Sequence, residues 1–199
     1  MGGTRIFAAG YGARNVSAET VSAAAAVGTF VVIAATAIAA VVQLRHMRAG
    51  NQLNAFMTIG QDFERPEFRE LLSYVRNKLP AKMQEPTYGD EILDGRGLDR
   101  STNPELIVCG FFEQMGLFMK RRLVDESVFL DAYAPVVVRN WERLSPYIAL
   151  SRQASGLASW ENFEYAAVRA YQWTKRHPNG TLPKSFPRLP ISPPAALKK

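Results

Sequence analysis

The chain holds one cysteine and two histidines in 199 residues. A lone cysteine, Cys109, excludes an internal disulfide, and it accords with a domain kept in a reducing compartment. The shortage of histidine removes most routes to metal binding and general acid–base chemistry. His46 and His177 have no Cys or acidic neighbour at metal-ligand spacing. Cys109 sits in the stretch from Leu106 to Met119, where only Glu113 is charged and a thiol behaves as a small inert hydrophobe. Asp90, Glu91, Asp94 and Asp99 form an acidic stretch, but their spacing fails the EF-hand pattern. Gly95-Arg96-Gly97 follows no strand, so it is not read as a phosphate loop. A helical di-iron site needs Glu-x-x-His, and no histidine follows Glu113, Glu161 or Glu164 at that spacing. Nucleophile, acid and base do not assemble. The sequence therefore predicts no enzyme, no cofactor and no metal.

Charge is missing altogether from Val21 to Val42. At 1.5 Å rise per residue these 22 residues would extend about 33 Å, against about 30 Å for a bilayer core. Apolar runs of core helices are shorter than this. The run is soft, with nine alanines between Ala23 and Ala40, but Val27, Phe30, Val31, Val32, Ile33, Ile38, Val41 and Val42 strengthen it. It is read as a single membrane span. A cleaved export signal is the alternative: Ala37-Ile38-Ala39-Ala40 resembles a cleavage site, although the run is longer than a signal core. Arg45, His46 and Arg48 follow at once and are assigned to the membrane edge. Arg45 and Arg48 equal Arg5 and Arg14 in number but lie closer to the span, so the C-terminal domain is expected in the cytoplasm. Ala24, Gly28, Ala35 and Ala39 lie near one face, which would let two spans pack as a homo-oligomer; an unpartnered alanine-rich span is the alternative.

Acidic residues are absent from Lys175 onward, where six basic residues gather. The net charge of +6 thus resides in the ends, leaving sixteen basic and seventeen acidic residues between Gln43 and Thr174. A near-neutral middle gives no basic stripe for nucleic acid. Basic ends suit anionic lipid headgroups, or serve solubility alone.

Periodicity predicts an all-α protein: a single N-terminal transmembrane helix continuing into a small bundle of four to five helices. Residues 1–20 read as a flexible tail, 21–43 as the span, 44–176 as the helical domain and 177–199 as a disordered, Pro-rich, basic tail. The first helix is expected to run on past Gly50 and Gly60 as far as Pro66. A second, amphipathic helix places Phe68, Leu71, Leu72, Val75 and Leu79 on one face. Residues 80–102 read as an irregular loop. Asn103 is assigned as N-cap of a central helix with Pro104 at its first position, and Lys120, Arg121 and Arg122 close that helix. Asp125 caps the next, which Pro135 and Pro146 should kink or split and Gly156 ends. The last begins near Ser159.

Glu113, Glu161 and Glu164 stand in apolar surroundings. An unpaired buried carboxylate costs several kcal/mol, so Glu113 or Glu164 is expected to pair with an arginine, within a network drawing on Arg139, Arg152 or Asn162. The segments "QLRHMRAGNQL", "FFEQMGLFMKRRLVDE", "NWERLSPYIALSRQ" and "WENFEYAA" resemble the bacterial domain-of-unknown-function family 4760, over about residues 32–173. The resemblance implies a membrane-anchored helical domain with no activity to carry over. It adds Asn140, Trp141 and Phe163, together with Gly116 and Pro146, to a shared structural set, giving the polar network Glu113, Asn140, Trp141, Arg152, Asn162 and Glu164. The expected role is a non-enzymatic interaction or regulatory module with the lipid bilayer and an unknown protein as partners, and no nucleic acid. The alternative is a membrane-acting effector or sensor, such as a phage-defence component, whose overexpression would be toxic only with residues 21–42 present.

Overall fold

A computed structural model describes residues 17–95 and 99–190. The described residues form seven helices and no strand. These are α1 (Ala18–Glu64), α2 (Pro66–Asn77), α3 (Leu79–Lys82), α4 (Pro86–Leu93), α5 (Pro104–Lys120), α6 (Glu126–Ser155) and α7 (Glu161–Arg176). The chain divides into two compact units, Met1–Ala49 and Gly50–Lys199, with α1 contributing residues to both.

In the first unit the apolar run is helical and its large side chains are exposed, Phe30 at 71% and Ile38 at 66%. The Thr29 and Thr36 hydroxyls donate to the carbonyls of Ala25 and Val32 at 2.9 and 2.8 Å. Bonding back to the preceding turn hides polar groups that an apolar medium would penalise.

The second unit carries the core. Pro66 forces Arg65 into an extended backbone (ψ 133°), which stops α1 at Glu64 and starts α2 with proline at its first turn. Phe68, Val75 and Leu79 are buried, with Leu71 and Leu72 partly so, as the amphipathic spacing required. Helix α5 supplies Leu106, Val108, Cys109, Phe112, Met115 and Met119 to the core, while Ile107 and Leu117 on its other side are each 38% exposed. It packs chiefly against α7, where Phe112 stacks on Phe163 at 4.9 Å. Gly116 makes this approach possible. A Cβ there would overlap the Asn162 carbonyl, which is backbone and cannot swing away.

The structure revises two expectations about proline. Residues 80–102 are not one irregular loop: α4 and all of α3 but its first residue lie within it, and Tyr88 and Ile92 of α4 are buried. Pro80 and Pro86 occupy the opening positions of these helices, where the missing N–H is no loss. The bundle accordingly has more segments than four or five. In α6, Pro135 and Pro146 lie inside one helix of 30 residues, which is not split. Pro146 cannot donate to the Glu142 carbonyl, and the Ser145 hydroxyl donates to it instead at 3.1 Å. Burial of Ala134, Val137, Leu144, Tyr147 and Ile148 on both sides of the prolines holds the helix together.

Gly156, at φ +89°, ends α6. Residues 177–190 contain no helix, but they are not free of contacts, since the Thr181 hydroxyl donates to Asp131. The expectations for residues 1–16 and 191–199 lie outside the described residues.

Candidate functional site: two carboxylates at helix starts

Helix α7 begins at Glu161 after Trp160, which adopts a left-handed backbone (φ 60°) and offers no side-chain cap. Its first N–H groups would be orphans. Glu113, from the middle of α5, supplies the cap. Its Oε1 accepts from the Asn162 backbone N–H at 3.3 Å and from Asn162 Nδ2 at 2.7 Å, and its Oε2 accepts from Phe163 N–H at 2.8 Å. A carboxylate there also meets the positive end of the helix dipole. Glu113 is therefore bound by backbone and amide donors, not by an arginine. Glu164 does take the arginine: Arg152 Nη2 donates to its Oε2 at 2.7 Å, and Arg152 Nε donates to the Ser159 carbonyl at 3.0 Å. Lys120 closes the same end on Glu161 at 2.6 Å, which holds the Glu161 carboxyl below its ordinary value.

Trp141 meets the Phe163 ring edge-on at 5.1 Å. Its indole therefore contributes packing to this junction. Asn140 does not join the network. Its Nδ2 donates to Val136 O at 2.8 Å within α6, and its Oδ1 has no partner among the described residues. Arg139 is exposed. Arg45, His46 and Arg48 lie on α1 in the first unit, all exposed.

The second carboxylate was not singled out by the sequence. Glu105, in the first turn of α5, is fully buried. The Tyr88 hydroxyl donates to its Oε1, and Lys82 Nζ lies 3.6 Å from the same oxygen. Lys82 also donates to Asn103 Oδ1 at 3.0 Å and sits 4.3 Å from the centre of the Tyr88 ring. Asn103 holds the N-cap position of α5 but makes no capping bond, because its oxygen faces Lys82 and its amide donates to the Asp99 carbonyl at 3.0 Å. Glu105 Oε2 and the Tyr147 hydroxyl, both buried, have no partner among the described residues.

These surroundings shift their neighbours. Burial first, then the Glu105 charge, pushes the Tyr74 phenol up to about 12. Burial and the hydrogen bond to Glu105 push Tyr88 higher still, and burial raises Tyr147. Cys109 is held well above its ordinary value by burial, then by Glu105 and Glu113. It stays a thiol at neutral pH, and the thiolate is the nucleophile.

Sequence reasoning passed over Glu105 because an acid in a helix first turn is the ordinary surface pattern. Its partners Lys82 and Tyr88 also fell in the stretch read as loop. The available signal was Tyr88 and Ile92 at helical spacing after Pro86. Chemically, both carboxylates bind donors of their own chain. Among the described residues, no three His, Cys, Asp or Glu side chains gather as a metal site.

An all-helical domain tied together by carboxylates at two helix starts is the class that the fold defines. The sequence profile of a family described as a domain of unknown function, DUF4760, matches residues 30–170. That match takes in most of the chain, and the protein belongs to this family. No curated protein and no solved structure matches the chain.

Proposed function

We propose that the protein is a membrane-anchored, non-enzymatic interaction or regulatory module. Residues 21–42 form its single span and the unit from Gly50 onward lies in the cytoplasm. The observation that carries this reading is the state of the apolar run. Val27, Phe30, Val31, Val32, Ile33, Ile38, Val41 and Val42 are all exposed, and among the described residues none of the most apolar stretch of α1 is buried. Burying one such side chain is worth about 1.5–3 kcal/mol. Leaving eight in water forgoes roughly 12–24 kcal/mol, as much as a domain's whole stability. A bilayer recovers that energy.

The non-enzymatic part rests on the chemistry of the folded unit. Its thiol is sealed in the core, and its carboxylates at the helix starts bind donors of the same chain, Glu113 through both oxygens and Glu105 through Oε1. The test is crosslinking of the intact protein in its native membrane, with a form lacking residues 21–42 alongside. A partner captured by the intact chain through the folded unit supports a module. Turnover of a substrate by the purified protein would overturn it.

A further inference from the structure

Helices α3 and α4 are too short to support themselves. They run to four and eight residues, and helices of that length are not stable alone in water. Neither has a side-chain cap at its start. Gly89, in the middle of α4, weakens it further, and a Cβ there would meet nothing. The pair has a bend at each end. Lys78, between α2 and α3, is stretched to φ −111°, and Gly95, after α4, is left-handed at φ 76°. Between these bends Leu79, Tyr88 and Ile92 are buried and Met83 packs partly against the core. Every other side chain from Pro80 to Leu93 is exposed or half-buried.

What else fixes the pair is polar, and it centres on one carboxylate. Tyr88 of α4 donates to Glu105 Oε1, and Lys82 of α3 lies against the same oxygen. Lys82 also donates to the Thr102 carbonyl at 3.4 Å and to Asn103 Oδ1 at 3.0 Å. These bonds tie α3 and α4 to the start of α5. The arrangement has a cost. Glu105 Oε2 and the Tyr147 hydroxyl are sealed from water without partners among the described residues, and a buried polar atom left unmatched forfeits its hydration. After burial, the Tyr147 phenol is raised by Cys109 and then by Glu105, so its hydroxyl feels the same carboxylate. Helix α4 packs on α6, the helix that carries Tyr147. Moving α3 and α4 aside would give both dry atoms access to water. Helices α5, α6 and α7 are joined without them, through the Phe112–Phe163 stack, the Glu113 cap and the Glu126–Arg169 pair. An element held by few buried side chains, and opposed by dry polar atoms, opens more readily than the whole unit unfolds.

We propose that residues 79–93 form a flap over the Glu105 carboxylate, latched by Tyr88 and Lys82, which opens as one unit while α5, α6 and α7 stay folded. Opening turns a sealed carboxylate into an exposed anionic site beside the Tyr147 hydroxyl. The folded unit thereby carries a two-state element of its own, whether or not residues 21–42 span a membrane.

The test is amide hydrogen exchange on the full chain in detergent micelles, read peptide by peptide at urea concentrations below the unfolding transition. Amides of residues 79–93 are expected to share one opening, more frequent than that of α5 and α7 and less dependent on urea, because less surface is exposed. Tyr88→Phe should speed their exchange about 30-fold, the worth of one hydrogen bond to a charged group. Gly116→Ala, whose Cβ would overlap the Asn162 carbonyl, should speed exchange in α5 and α7 and leave that of residues 79–93 unchanged. If that variant does not fold, the urea dependence of the natural chain decides alone. Exchange of residues 79–93 at the rate and urea slope of α5 and α7, or acceleration of all of them together in Gly116→Ala, overturns the flap. Exchange of its amides one by one with no urea dependence, or at a rate that Tyr88→Phe leaves unchanged, overturns it equally.

Discussion

Removing the Tyr88 hydroxyl should destabilise the folded unit out of proportion to the single atom lost. Glu105 is fully buried. Its Oε1 is held by Tyr88 and by Lys82 at 3.6 Å, and its Oε2 has no partner among the described residues. In Tyr88→Phe the carboxylate would keep only the Lys82 ammonium, at a distance too long for a good hydrogen bond. A hydrogen bond to a charged group is worth about 1.5–3 kcal/mol, so the loss should be about 2 kcal/mol. With a urea slope of about 1–3 kcal/mol per molar, the midpoint should fall by about 1 M. Trp141, Trp160 and Trp173 all lie in the second unit, so tryptophan fluorescence of the detergent-solubilised chain reads that unit alone. The same change in a Glu105→Leu background should cost little, because no carboxylate remains to be deprived. The coupling between the two sites should be about 1–2 kcal/mol. A cost for Tyr88→Phe below about 0.5 kcal/mol, or an equal cost in both backgrounds, would refute the assignment of Tyr88 to Glu105.

Gly116→Ala should separate α5 from α7, since its Cβ would overlap the Asn162 carbonyl. A loss of about 1–3 kcal/mol is expected for such overpacking, measured by the same urea titration. Asp125→Asn should flatten the acid limb of stability. The Asp125 carboxyl is held below its ordinary value by the Ser127 side chain first and then by backbone N–H groups. Its contribution is therefore complete above the unfolded value of about 3.9 and is lost as pH falls through the lowered folded value; urea midpoints taken across that window check the sign. Leu157, 82% exposed at the α6–α7 connection, offers a test of orientation. A membrane-impermeant maleimide should label Leu157→Cys in permeabilised cells and not in intact ones.

Elements with plain periodicity were legible in the sequence. The uncharged run, α2, α5 and α7 follow from apolar spacing, and the Asp125 cap follows from its place before an apolar series. Prolines misled in both directions. Pro80 and Pro86 start helices in a stretch read as loop, whereas Pro135 and Pro146 fail to break α6, because Ser145 serves the Glu142 carbonyl and the flanking residues are buried. Local signals cannot report such compensation by neighbours. The same limit applies to the carboxylates. The cost of burial predicts an arginine partner for Glu113 or Glu164, and Glu164 takes Arg152 although its own side chain is 46% exposed. Glu113 reaching the first turn of α7, nearly fifty residues on, depends on a helix crossing that no local pattern encodes.

The anchoring role is tested most directly by alkaline extraction of membranes containing the full chain, with the N-terminus of the recovered protein sequenced. A span at 21–42 predicts that the protein stays with the lipid, with those residues intact, and that deleting them releases a folded unit into solution. Release of the full chain by alkali, or a mature N-terminus beyond Ala40, would contradict it.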